Sequence, residues 1–341
     1  MAVRKKIYAV DLFCGIGGLT HGLKKSGIRV NAGVDIEKSC KYIYEKNNKN
    51  AKYIEKDIRE IKFGDLLKYY TGADIKVLVG CAPCQPFSSH TRRTFSGEKD
   101  FSLVKEFIRL IKEGKPDIIS MENVPGLMRY KVFNEFIETL DDLGYKHCHE
   151  IVSCFEYGIP QKRKRLVLLA SKLGNISLVA PIKKRAVVAD YLKQLPQIDN
   201  GQQSSDDSAH VAIRLTDMNL ERIKQSKPGG TWKDWEAQMI CKCHEDSYYP
   251  ASYGRMQWDA PAPTITTQFC YYSTGRFGHP EQNRAISVRE AALLQTFPNT
   301  YKFSQGNKPI VVREMAKYIG NAVPVKLAEV IGTSIIKSVY A

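Results

Sequence analysis

A cysteine set between a proline and a glutamine, Pro83-Cys84-Gln85, follows directly on the apolar run Lys76-Val77-Leu78-Val79-Gly80. A run of β-branched and aliphatic residues suits a buried strand, and Gly80-Cys81-Ala82-Pro83 ends it and turns the chain outward. In open α/β sheets, ligands gather outside the carboxyl ends of the strands. A thiolate there would be the strongest nucleophile that ordinary side chains offer at neutral pH, which makes Cys84 a candidate for covalent chemistry. Its neighbour Cys81 reads as a small structural side chain. Glu122-Asn123-Val124 follows a second apolar run, Asp117 to Met121, so its carboxylate leaves the same sheet edge. Gln161-Lys162-Arg163-Lys164-Arg165 precedes a third, where cations can hold a carboxylate or bind phosphate.

A different chemistry belongs to Asp11-Leu12-Phe13-Cys14-Gly15-Ile16-Gly17-Gly18, between a first strand and a helix. Gly15 and Gly17 allow a tight turn and let a ligand lie against bare backbone. The spacing is not that of dinucleotide enzymes, and Asp11 would repel a pyrophosphate while suiting a cationic ligand with a free ammonium group. Asp35 ends the second strand, where a carboxylate can take both ribose hydroxyls; Asp57 and Ile58 follow a third, placed for an adenine edge and face. Adenosine with positive charge and no phosphate describes S-adenosylmethionine. An oxidoreductase on the same sheet fits poorly for the same reason.

The elements that must carry these groups alternate. Strands are predicted at Ile7 to Phe13, Val30 to Val34, 76–79, Asp117 to Met121, 147–154 and 165–170, and helices at Leu19 to Ser26 and through Tyr42 and Tyr44. Phe101, Val104, Phe107, Ile108 and Ile111 recur at helical spacing. Such β-α-β alternation implies an α/β fold with a doubly wound, mostly parallel sheet. From about Ser171 to Asn283 the texture is irregular and holds all three tryptophans, Trp232, Trp235 and Trp258; helical pattern returns at Ser287 to Thr296 and from Pro324. A sheet domain of residues 1–171 completed by 284–341, with a smaller, separate domain at 172–283, is the expected organisation.

The formal net charge is +15, and a chain this basic commonly meets a polyanion. Residues 171–283 carry 13 basic and 12 acidic side chains, a net of +1, so +14 lies in the sheet domain. The nine scattered cysteines suggest free thiols in a reducing cytoplasm. No run of eighteen apolar residues marks a membrane span and no signal peptide opens the chain. Cys241-x-Cys243-His244 lacks a second pair at ligand spacing, so no metal is expected.

Taken in order, these motifs resemble those of the bacterial-type DNA (cytosine-5) methyltransferase family, restriction–modification or orphan. The set is completed by Arg284, by Arg289-Glu290-Ala291-Ala292-Leu293-Leu294-Gln295-Thr296-Phe297-Pro298 and by Gly320-Asn321-Ala322-Val323-Pro324, and it spans residues 7 to about 335. The resemblance implies the S-adenosylmethionine-dependent methyltransferase fold and assigns Cys84 as nucleophile. Glu122 becomes the acid at the cytosine ring nitrogen, with Arg163 and Arg165 as cations beside the base. Phe13, Asp35, Ile36, Asp57, Ile58, Asn321 and Val323 become cofactor-pocket residues, and Leu103 a looser match behind the divergent Gly97-Glu98-Lys99-Asp100-Phe101-Ser102.

The implied chemistry is addition of the thiolate to carbon 6 of cytosine, methyl transfer to carbon 5, loss of the carbon 5 proton to an unassigned base, and elimination. The target base must leave the duplex for this to happen. Residues 172–283 become the target-recognition domain, with Ala260 to Thr267 and Thr274 to His279 as loops suited to base edges. The implied partner is double-stranded DNA, met by a cytoplasmic monomer, with a cognate restriction endonuclease possible on the same site. A transfer-RNA cytosine-5 methyltransferase shares most of the motifs. A catalytically inactive DNA-binding regulator is disfavoured by intact Cys84, Glu122 and Arg163.

Overall fold

In the computed structural model, residues 5–83, 101–182, 185–236, 251–306 and 308–340 are described. Cys84 and the segment preceding Phe101, and Cys241 to His244, lie outside them. The chain divides into two compact units, the first made of residues 1–153, 164–181 and 323–341, the second of 154–163 and 182–322.

The first unit is built on a seven-stranded sheet: β1 (Ile7–Leu12), β2 (Arg29–Asp35), β3 (Lys52–Glu55), β4 (Ile75–Gly80), β5 (Ile118–Asn123), β6 (Lys146–Ser153) and β7 (Lys164–Ser171). Its order is β3-β2-β1-β4-β5-β7-β6. The first five strands pair in parallel; β7 runs antiparallel to both β5 and β6. Val77, Leu78, Val79, Leu168 and Leu169 are all fully buried, as expected for strands covered on both faces. Helices α1 (Gly18–Ser26), α2 (Cys40–Asn47), α3 (Ser102–Gly114) and α4 (Lys131–Asp142) join them. On α3, Val104, Phe107, Ile108, Leu110 and Ile111 face the core, and Phe107 meets Phe136 of α4 edge to face at 5.6 Å.

The second unit has α5 (Asp217–Gln225), α6 (Val288–Leu294) and α7 (Val312–Asn321) among long irregular stretches. A small apolar cluster of Leu215, Ile223, Trp235, Tyr253, Tyr272 and Ala285 forms part of its core. Residues 284–322 were expected with the sheet, yet they group with this unit, as do 154–163. The cause is polar packing. Arg284 Nε donates to the Ile198 carbonyl at 3.1 Å and Arg289 to Asp207 Oδ1 at 3.0 Å, so the sequence after Arg284 folds onto the irregular part, while Arg284 is also bidentate to Glu290 within it.

The helix α8 (Val325–Tyr340) returns to the first unit and crosses α1 closely. A Cβ on Gly22 would lie 2.2 Å from the Val325 carbonyl oxygen, and one on Gly332 2.0 Å from Ser26 Oγ, so both positions need glycine for the crossing. Val312–Tyr340 reaches a mean hydropathy of 1.3 over its most apolar window, yet 61% of that window is buried within the protein.

Candidate active site

At the carboxyl end of β1 the chain turns through Phe13, whose φ of 60° is left-handed and costs a β-carbon-bearing residue about 1–3 kcal/mol. Gly15 and Gly17 follow at φ 49° and 87°, which glycine tolerates. The Gly15 N–H donates to Asp35 Oδ2 at 2.7 Å and the Glu37 N–H to Oδ1 at 2.9 Å, so the carboxylate ending β2 ties the glycine turn to its own loop. Burial raises the pKa of Asp35. Ile36 beside it is 66% exposed, an apolar side chain left in solvent next to that carboxylate. Asp57 caps a short turn, accepts from Arg59 Nε at 3.0 Å, and is held below the usual carboxylate range by that guanidinium. Ile58 is buried, and Phe13 and Leu103 pack on the same core.

Asp11 does not face solvent. It is fully buried, Thr20 Oγ1 donates to its Oδ2 at 2.7 Å, and burial pushes its pKa up to about 7. Its Oδ1 is buried with no hydrogen-bond partner. Such an orphaned carboxylate oxygen costs free energy that a cationic group would recover. With the left-handed Phe13, the exposed Ile36 and the glycine turn, it fits a cationic nucleoside rather than a pyrophosphate.

The carboxyl ends of β4 and β5 lie side by side, with Gly80 paired to Met121, which places Cys81 alongside Glu122. Glu122 is 2% exposed. The Cys81 thiol donates to Glu122 Oε2 at 2.8 Å, and Arg165 Nε lies 3.0 Å from Oε1, an ion-pair contact without hydrogen-bond alignment. Asn123 Nδ2 donates to the Ala82 carbonyl at 3.1 Å, a second tether on the segment that leads to Pro83-Cys84. The sequence points to Glu122 and Arg165 but reads Cys81 as a small structural side chain. The strand register would have found it.

Arg163 goes elsewhere. It belongs to the second unit, is 2% exposed, and its two terminal nitrogens donate to the carbonyls of Ile265, Gly320 and Ala322 at 3.1 to 3.4 Å. Gln161 joins it there, donating to Leu294 O and Gln295 Oε1, while Gln295 donates to Ile319 O at 2.7 Å. Two positions apart, the pair would share one face of a continuous strand; they part because Arg163 precedes β7 and Arg165 lies within it. The network fixes the end of α7, where Asn321 is exposed; Val323 is buried in the first unit. Among the described residues no group of three or more His, Cys, Asp or Glu is arranged for a metal.

The sheet is doubly wound and carries acidic and glycine-turn groups at its carboxyl edge. Solved structures agree in fold. A prophage-encoded Escherichia coli protein described as a DNA modification methyltransferase aligns with a TM-score of 0.77 at 21% identity, over 98% of this chain and 100% of that one. The Entamoeba histolytica methyltransferase EhMeth aligns with a TM-score of 0.70 at 18% identity, over 98% and 99%.

The family model for C-5 cytosine-specific DNA methylase matches residues 7–337. The type II methylase M.HgiDII of Herpetosiphon aurantiacus is 50% identical over 96% of this chain and 94% of its own length. The type II methyltransferase M.PspPI of a Psychrobacter species is 31% identical over 97% and 79%. The chain belongs to the C-5 cytosine-specific DNA methylase family and is a DNA methyltransferase.

Proposed function

We propose that this enzyme methylates carbon 5 of a cytosine that it flips out of duplex DNA, using a covalent adduct through Cys84. The observation that carries the reading is the buried Glu122 carboxylate, held at the sheet edge beside Arg165 and directly next to the segment that runs into Cys84. A buried carboxyl group so placed suits a flipped pyrimidine better than a solvated phosphate. Glu122, protonated or sharing its proton with the ring nitrogen, would draw electron density out of the ring while the Cys84 thiolate adds at carbon 6. That addition makes carbon 5 an enamine carbon able to take a methyl group. Arg165 would keep Glu122 oriented through each step.

S-adenosylmethionine supplies the methyl group as a sulfonium. Asp35 would hold its ribose, Ile36 and Ile58 its adenine faces and Asp57 the adenine edge, with Phe13, Gly15, Gly17 and Leu103 lining the pocket. Asn321 and Val323 would complete it. Residues 172–283 would read the target sequence from the groove. The remaining parts of the reading are a cytoplasmic monomer that works beside a restriction endonuclease of the same specificity, as the type II relatives suggest.

The test is incubation with labelled S-adenosylmethionine and either duplex DNA or transfer RNA. Methylcytosine in the DNA is the expected product, and label in RNA alone would overturn the reading. Duplex DNA carrying 5-fluorocytosine should trap an adduct that Cys84→Ala abolishes and Cys81→Ala does not.

A further inference from the structure

Glu122 is the acid on which the proposed reaction turns, and a buried carboxylate needs donors to hold one orientation. Arg165 offers one oxygen an ion-pair contact without hydrogen-bond alignment. The other takes its hydrogen bond from Cys81, a half-buried residue that the reaction does not otherwise employ. We propose that the Cys81 thiol is a positioning residue for Glu122: it donates to Oε2 and fixes the carboxyl plane against the target base, without touching the base itself. The inference rests on the cytosine reading above and deepens it.

Three observations converge. The β4–β5 register puts Cys81 directly beside Glu122, so the contact follows from backbone pairing and not from a chance rotamer. The Asn123–Ala82 bond locks the backbone on the far side of Cys81, which leaves the thiol little freedom to turn away. The chemistry of the donor also matters. A thiol is uncharged and a weak donor, so it orients the carboxylate without locking it into an ion pair. A cysteine is thus a suitable second partner for an acid that already has one guanidinium beside it.

Three variants separate hydrogen bonding from packing. Cys81→Ser keeps a donor on nearly the same stem, Cys81→Val keeps an apolar filler and loses the donor, and Cys81→Ala loses both. The measurement is the single-turnover methylation rate on duplex DNA, with binding constants for S-adenosylmethionine and DNA taken in parallel. Cys81→Val and Cys81→Ala should slow methylation roughly three- to tenfold, the loss of one weak hydrogen bond. Both binding constants should stay within about twofold, and Cys81→Ser should recover most of the rate. Formation of the 5-fluorocytosine adduct should slow in the same order. A packing role predicts the reverse ranking, with Cys81→Val active and Cys81→Ser impaired; that result, or wild-type rates in Cys81→Val, overturns the proposal. A wild-type enzyme that makes no methylcytosine would instead defeat the function proposed above. The two failures cannot be confused.

Discussion

In the first unit the fully buried side chains are those of stacked strands, such as Val77, Leu78, Leu168 and Leu169. In the second, the largest fully buried side chain is Arg284, clamped by Glu290. Arg255 is buried there too, with its guanidinium on the carbonyls of Ile223, Ser226, His279 and Gln282. Arg163 makes a third such case. One unit is assembled by excluding water from hydrocarbon, which is tolerant of detail. The other is assembled by saturating buried cations with oxygen atoms, which demands particular partners. A region that must present irregular loops has few periodic faces to bury, and guanidinium groups with several donors can pin carbonyls from separate stretches at once.

That contrast can be broken by mutation. Arg284→Met leaves Glu290 charged and buried, and should cost about 3–5 kcal/mol in denaturant unfolding. The double change Arg284→Met with Glu290→Leu should recover most of that loss; if it is as damaging as the single change, the second unit is packed like a hydrocarbon core after all. Leu168→Ala in the sheet should cost about 3 kcal/mol, and a nearby enlarged neighbour should compensate it more readily than any neutral residue compensates Arg284.

The smallest effect, and the one that distinguishes the units most finely, is in acid. Burial holds His279 down to about 4, so the unfolded chain binds its proton first and stability falls as pH drops from 6.5 to 4. Arg284 holds Glu290 down to about 2 against the opposing effect of burial, which extends the loss from 4.5 toward 2. Asp11 has the opposite sign. With its pKa raised to about 7 by burial, it contributes stability below 3.8 that is lost as pH rises through 7. Hydrogen exchange at pH 7 and pH 5 should show α6 losing protection and β1 gaining it. Asp11→Asn should remove the gain alone. Equal loss of protection in both elements would end the comparison.

The same contrast decides what could be read in the sequence. Apolar runs and glycine punctuation gave the strands and the edge on which Asp35, Asp57 and Glu122 sit, because a two-sided core leaves a continuous signature. The antiparallel insertion of β7 between β5 and β6 left none, since both orientations need the same buried residues. The grouping of 284–322 with the irregular unit was illegible for a related reason: Arg284, Glu290 and Gln295 look like surface residues until their distant partners are known. Arg163 and Arg165 are neighbours of one type, and only the geometry sends one to carbonyl oxygens and the other to Glu122. Cys81 was hidden because cysteine is usually a small hydrophobe, and its meaning depends on the residue across the strand pair.

The crossing of α1 and α8 at Gly22 and Gly332 has a consequence for how the enzyme comes into being. Tyr340 reaches the Lys5 carbonyl, 335 residues away, so the two distant stretches of chain close on each other directly. On the ribosome, α1 is made early and keeps a bare apolar face until α8 emerges. The sheet domain therefore stays open throughout its own synthesis. A cell making this protein receives its activity in one late step, after the second unit has been completed, and a stalled nascent chain would carry a sheet that has not yet closed.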